Sequence, residues 1–323
     1  MRPRVHVSRR VPKPVHAALA ESFDVSFPAS DDVPSRAAIL AACRGCVGLV
    51  TVPADRVDAE LLDAAGGGLR VVANHAVGTD NVDVEEATRR GVVVANTPGV
   101  LTEATAELTI ALLLALVRRV AEGDRLVRAG RPWALAPTFM LGAGLRRRTI
   151  GIVGAGRIGR EVARLARGFG MEVLETGRTV GSGRVPLAEL LARAHAVSLH
   201  VPLTPETRHL IGAAELRSMR MDAVLVNTSR GPVVDERALV DALRSGEIAG
   251  AALDVYEREP QVDPGLLGLE NVVLAPHLGS ATHEAREAMG MLCVDALRAV
   301  LLDGRLPGNA VNPEALAQRR EAG

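Results

Sequence analysis

Short β-branched apolar runs alternate along this chain with stretches whose apolar residues recur every three or four positions. The runs predict strands at 4–8, 23–26, 47–52, 71–73 and 92–94. Helical spacing falls between them at 13–22, 35–43, 58–65 and 84–90. Strands that read as continuous apolar runs are buried on both faces, and strand–helix alternation at this pitch predicts an α/β unit with a parallel sheet. A second series repeats the pattern, with strands at 149–153, 171–174, 196–201, 223–227, 250–255 and 271–275 and helices at 187–193, 235–245 and 282–302. Between the two series Thr102 is expected to cap a long helix. Its 107–120 portion is apolar almost all round, which predicts burial between domains or subunits.

The second series opens with a feature that the first lacks. After Thr149-Ile150-Gly151-Ile152-Val153 comes Gly154-Ala155-Gly156-Arg157-Ile158-Gly159, a G-x-G-x-x-G run. Apolar residues then recur at Ile158, Val162, Leu165, Ala166 and Phe169, a helix that Gly170 ends, and a further strand follows. In this strand–turn–helix–strand context the three glycines have separate tasks. Gly154 makes the sharp turn, Gly156 lets a pyrophosphate approach the backbone, and Gly159 lets the helix lie close to the strand. The free N–H groups and positive end of the helix face the phosphates. The unit is therefore expected to bind a dinucleotide.

Which dinucleotide depends on the tip of the second strand, Glu175-Thr176-Gly177-Arg178-Thr179. NAD-binding units place a carboxylate there for the ribose 2′-hydroxyl. Here Gly177 holds that position with Arg178 beside it, and a guanidinium can grip a 2′-phosphate bidentately. NADP(H) is the expected cofactor. Glu175 lies two residues earlier on the same side of the strand and leaves NAD(H) open.

Length and composition narrow the classes. The 323 residues suggest two domains, and nearly half of them are apolar. The formal net charge is zero, so neither a nucleic-acid nor a membrane partner is expected. No apolar segment approaches a membrane span and no signal peptide is visible, which gives a cytoplasmic enzyme as the expectation. Cys43 and Cys46 form C-x-x-C but run into an apolar strand, with no second pair and no His at ligand spacing. They read as small buried residues, and no metal site is expected.

Several further stretches occur in a recognisable order: 73–83 (ANHAVGTDNVD), 96–107 (NTPGVLTEATAE), the glycine run, 227–231 (NTSRG), 254–260 (DVYEREP) and 276–281 (PHLGSA). Over nearly its whole length the chain resembles the D-2-hydroxyacid dehydrogenase family, and within it the glyoxylate/hydroxypyruvate reductases. The resemblance implies two doubly wound, Rossmann-like parallel-sheet domains with an interdomain cleft. A discontinuous, flavodoxin-like substrate-binding domain would span 1–97 and 280–323, and an NAD(P)-binding Rossmann domain 98–279. It also implies a homodimer, with Trp133 of a Pro-flanked loop reaching the partner's site.

The reaction class needs a cation for the substrate carboxylate, an acid/base for the hydroxyl proton, and a positioned nicotinamide. Arg230 follows one strand end and suits the first task. His277 follows another and suits the second, because imidazole titrates near working pH. Asp254, Glu257 and Glu259 all compete to orient that imidazole, and the resemblance selects Glu259. Asp254, at its strand tip, is expected to face the nicotinamide amide. Backbone N–H groups of Val77, Gly78 and Thr79 are expected to hold the substrate carboxylate. To the glycines the resemblance adds cofactor contacts at Arg157, Ile158, Gly177, Arg178, Thr179, Val201, Pro202, Thr207, Thr228, Ser229, Asp254 and Gly279. Pro53 stands where similar reductases carry a larger apolar residue that shapes the substrate pocket. Two rivals stay open: a relative acting on phosphoglycerate, phosphite or a bulkier 2-oxo acid, and a dinucleotide-sensing corepressor-like binding protein.

Overall fold

The computed structural model describes residues 1–28, 30, 32–177 and 183–316. The chain divides into two compact units, Met1–Leu101 with Ala281–Gly323, and Thr102–Ser280. The first segment runs β1 (Arg4–Val7), α1 (Lys13–Ser22), β2 (Asp24–Ser26), α2 (Arg36–Ala42), β3 (Gly48–Thr51), α3 (Ala59–Ala65), β4 (Val71–Asn74), α4 (Val84–Arg89) and β5 (Val93–Ala95). The middle segment runs α5 (Thr102–Val117), α6 (Val120–Arg128), β6 (Thr149–Val153), α7 (Arg157–Gly168), β7 (Glu172–Thr176), α8 (Leu187–Arg193), β8 (Ala196–Leu199), α9 (Ala213–Ser218), β9 (Val224–Asn227), α10 (Glu236–Ser245), β10 (Gly250–Leu253), α11 (Pro264–Leu267) and β11 (Val272–Leu274). The chain then returns to the first unit with α12 (His283–Leu301).

Both sheets are parallel. The first has the order β2-β1-β3-β4-β5, the flavodoxin-like doubly wound arrangement. The second has the order β11-β10-β9-β8-β6-β7, reversing direction at β6. Helices start where the sequence supplies a capping oxygen: Ser35 accepts from Ala38 N–H, Asp58 from Leu61, Asp83 from Glu86, Asp235 from Ala238 and Thr282 from Ala285. The cores are aliphatic, as the scarcity of aromatics dictates. In the first unit α12 covers one face of the sheet through Cys293, Val294 and Leu297. Cys43 and Cys46 lie buried on the opposite side. Burial raises the pKa of both thiols, so they pack as small apolar residues.

Three expectations need correction. Thr102 is the first helical residue, not a residue outside the helix. The helix does not run on to residue 120: Arg119 takes a left-handed conformation (φ 55°) and α6 restarts after it. Much of the apolar surface of α5 is buried within its own unit, on β9, β10, β11 and α7, where Ile110, Leu113 and Leu116 join the core, while Leu108, Leu114 and Ala115 stay partly exposed. Period alone cannot distinguish a helix pressed between a sheet and a neighbouring helix from one that awaits another domain. The short helices α9 and α11 give too few turns for a periodic signal.

Candidate active site

Parallel pairing sets the C-terminal ends of β9, β10 and β11 side by side on one edge of the second sheet. Arg230 follows the first of these strands, Glu259 the second and His277 the third. His277 Nδ1 donates to Glu259 Oε2 at 2.7 Å, and Glu259 Oε1 accepts the Tyr256 N–H at 3.0 Å. Partial burial pushes the Glu259 pKa up. The His277 hydrogen bond and charge, the Tyr256 N–H and the Arg230 charge together outweigh that and hold it below the usual carboxylate value. The carboxylate is thus ionised, the Nδ1–H tautomer is fixed, and Nε2 is left for other chemistry. Arg230 is steadied by its own loop: Nη1 donates to Ser229 O at 2.8 Å, and Asn227 Nδ2 to Arg230 O at 2.9 Å.

His277 sits in the left-handed region (φ 56°), where a non-glycine residue needs support. Asp254 supplies it. Its carbonyl accepts the His277 N–H at 2.9 Å, and its two carboxylate oxygens accept Leu278 N–H (2.6 Å) and Gly279 N–H (2.8 Å). Asp254 is only 1% exposed. Burial pushes its pKa up against those donors. The Asp254 carboxylate, expected to face a nicotinamide, thus also holds the histidine turn. A cross-brace continues outward, from Thr105 Oγ1 to Gly279 O (2.9 Å) and between Thr109 and Thr228 hydroxyls (2.8 Å).

The turn after β6 lies on the same sheet edge. Gly154 has φ 98°, and a Cβ there would stand 2.6 Å from His200 O; one on Gly159 would stand 2.2 Å from Gly154 O. Gly156 is different. A Cβ on it would meet nothing within 4 Å, so the backbone beside the first turn of α7 is open to an approaching group. Arg157 and Ile158 begin that helix, and Val201 packs against Gly154. Three hydroxyls expected at the cofactor are occupied within the protein. Thr207 Oγ1 donates to Pro202 O (2.6 Å), Ser229 Oγ donates to Asn227 Oδ1 (2.8 Å), and Thr228 pairs with Thr109. At the tip of β7, Gly177 lies beside the Arg184 guanidinium, 3.5 Å from the position of a Cβ, and Glu175 pairs with Arg167 at 3.7 Å. Arg178 and Thr179 fall outside the described residues.

In the first unit the loop after β4 is held by asparagines that the sequence reading passed over. Asn96 Nδ2 donates to Val77 O (2.8 Å) and Asn74 Nδ2 to Gly78 O (3.0 Å). Asn81 Nδ2 spans to the carbonyls of Val52 and Asp55. Among the described residues no acceptor meets the N–H groups of Val77, Gly78 and Thr79, so the loop offers donors with its carbonyls already engaged. A second pair was also missed: His209 Nε2 meets Glu257 Oε1 at 2.5 Å, tying the 202–210 loop to the turn that bears Glu259. Its only sequence signal is a carboxylate two residues from Glu259. No cluster of metal-ligating side chains occurs among the described residues.

Residues 110–279 match the family model described as D-isomer specific 2-hydroxyacid dehydrogenase, NAD binding domain. A glyoxylate reductase of Korarchaeum cryptofilum is 49% identical, the match covering 99% of this chain and 98% of the relative. One of Thermococcus litoralis is 46% identical, with 98% of each covered. Among solved structures, a protein of Thermus thermophilus superposes with a TM-score of 0.90 at 46% identity, covering 95% of this chain and 99% of that one. The NADPH-dependent glyoxylate/hydroxypyruvate reductase of Sinorhizobium meliloti, in complex with NADP and malonate, gives 0.84 at 37% identity, covering 97% and 98%. The chain belongs to the D-isomer specific 2-hydroxyacid dehydrogenases and is an oxidoreductase with a nicotinamide-dinucleotide-binding unit.

Proposed function

We propose that the protein reduces short 2-oxo acids, glyoxylate and hydroxypyruvate first among them, to 2-hydroxy acids with NADP(H) preferred over NAD(H). The observation that supports it most is the Glu259–His277 pair at 2.7 Å, one strand tip away from Arg230 and on the same sheet edge as the glycine turn. The open space over Gly156 fits a pyrophosphate, with Gly154 and Gly159 closing the turn below it. A reduced nicotinamide dinucleotide supplies the hydride when bound. Arg230 holds the substrate carboxylate and polarises the carbonyl. His277 gives its Nε2 proton to the carbonyl oxygen as the carbon gains the hydride, and takes it back in the oxidative direction. Glu259 stabilises the imidazolium and holds the ring in place. Val77, Gly78 and Thr79 are the proposed backbone donors to the carboxylate.

The cofactor preference rests on charge. Glu175 is engaged by Arg167, and the Arg184 guanidinium stands beside Gly177, where a 2′-phosphate gains and a 2′-hydroxyl gains little. A homodimer built through the 120–141 segment completes the reading. The test is turnover of glyoxylate and hydroxypyruvate with NADPH and NADH by the wild type, Arg230→Ala and His277→Ala. We expect kcat/KM to favour NADPH and each substitution to lower kcat/KM at least about 100-fold, the scale of a lost general acid or charge clamp. Near-normal rates in either variant refute its role, and equal or better use of NADH refutes the cofactor preference.

A further inference from the structure

The reaction just described leaves a cavity of the first unit without a task. Its volume is about 590 Å³, within the range of small-ligand sites. It lies beyond the C-terminal ends of β1, β3 and β4, the edge where ligands sit in doubly wound sheets. Val7, Val50 and Val52 give it an aliphatic floor, and Arg9, Arg10 and Arg286 give it three guanidinium groups. Among the described residues lining it, none is Asp or Glu. One carboxylate stands behind the lining. Asp55, 1% exposed, forms an ion pair with Arg9 Nη2 at 3.0 Å, accepts from Val52 N–H at 3.0 Å and takes the Ser8 hydroxyl. Arg9 Nη1 also donates to Ser8 O at 2.8 Å, so this guanidinium is fixed in place. The first turn of the 19-residue α12 reaches the cavity through Thr282 and His283 and adds its positive end. His75 closes one side, its Nε2–H donating to Arg286 O at 3.3 Å.

His75 also begins the loop proposed to hold the substrate carboxylate. Val77 is two residues further on, at most about 7 Å along the chain. We propose that this cavity binds a second, distal anionic group of the substrate, a carboxylate or phosphate borne on C3 or C4 of a 2-oxo acid, with Arg10 and Arg286 as its contacts. The inference rests on the proposed reduction of 2-oxo acids and extends the substrate class beyond glyoxylate, whose two carbons are too few to reach the cavity. An uncharged side chain of the same length meets the aliphatic floor but forgoes charge-assisted hydrogen bonds to the guanidinium groups, so discrimination should be strong.

The experiment compares kcat/KM of the wild-type enzyme for 2-oxoglutarate against its uncharged isostere 2-oxopentanoate, and for 3-phosphooxypyruvate against hydroxypyruvate, with glyoxylate as reference. At least one charged substrate is expected to exceed its uncharged partner about tenfold or more, chiefly through KM. Which of the two does so tells carboxylate from phosphate. Arg286→Gln and Arg10→Gln should each cut that ratio about tenfold. A ratio of one or less in the wild type overturns the cavity assignment without recourse to any variant, as does a ratio that both variants leave intact. Absence of turnover with every 2-oxo acid, glyoxylate included, overturns instead the proposed function on which this rests.

Discussion

His277 has a left-handed backbone that a β-bearing residue adopts only under constraint, and the constraint is a buried carboxylate, Asp254, bonded to the next two N–H groups. Two acids therefore serve one imidazole in different ways: Asp254 fixes its backbone, and Glu259 fixes its ring. Their pKa values are driven apart, Asp254 upward by burial and Glu259 downward by the donors and cations that outweigh its burial. The Glu259 shift carries a signed consequence. A carboxyl whose pKa is lower in the folded state stabilises the fold above its ordinary value, and that contribution fades as pH falls through the folded value. Stability of wild type minus that of Glu259→Gln, from urea titrations at several pH values, should therefore be constant above the ordinary glutamate range and shrink below it. A difference that grows on acidification contradicts the assigned ionisation. Sequence reading could name Glu259 only by resemblance, because Asp254, Glu257 and Glu259 differ little as letters. The structure separates them by partner: backbone N–H groups, His209 and His277.

At the scale of elements, the site depends on how closely two loops approach. A Cβ on Gly231 would lie 1.9 Å from the carbonyl carbon and oxygen of Tyr256, and 2.4 Å from the Glu257 N. The backbone just after Arg230 therefore abuts the backbone just before Glu259, and no side chain can relieve the contact by moving. Gly231→Ala should destabilise the protein by at least about 3 kcal/mol, the upper range for overpacking, and should lower kcat more than Arg230→Lys does. Calorimetry and steady-state kinetics check both. A fully stable, active alanine variant would show that the two loops can separate freely. The His209–Glu257 pair closes the same turn from the other side. None of this spacing is periodic. The strands and helices were legible because burial imposes a repeat on apolar residues, and loop contacts impose none.

At the scale of the molecule, the distribution of exposed apolar side chains is uneven. In the 120–141 segment Trp133 is 58% exposed, Leu135 94% and Leu141 65%, and Trp133 stacks on Phe139 with ring centroids 6.4 Å apart. Large apolar side chains clustered in this way mark a surface that a partner covers, and a second copy of the chain is the partner proposed. The wild type is expected to sediment as a dimer at micromolar concentration and the double variant Trp133→Ala, Leu135→Glu as a monomer; a monomeric wild type refutes the proposed pairing, and an unchanged dimer in the variant places the interface elsewhere.

The sequence by itself determined the α/β architecture, the strand–glycine turn–helix cradle and the family. Each of these is written in local terms: a period, a cap, or a residue type that only one backbone conformation accepts. It also ordered Arg230, Glu259 and His277 at successive strand ends, since parallel strands with right-handed connections return every such end to one edge. Only the tertiary structure decided that α5 packs largely on its own unit, that Asp254 supports a backbone turn, that Asn74 and Asn96 hold the 77–79 loop, and that Arg9, Arg10 and Arg286 share a cavity. Those facts join residues up to 277 positions apart in number. Proximity of that kind arises from packing, which no local pattern along the chain encodes.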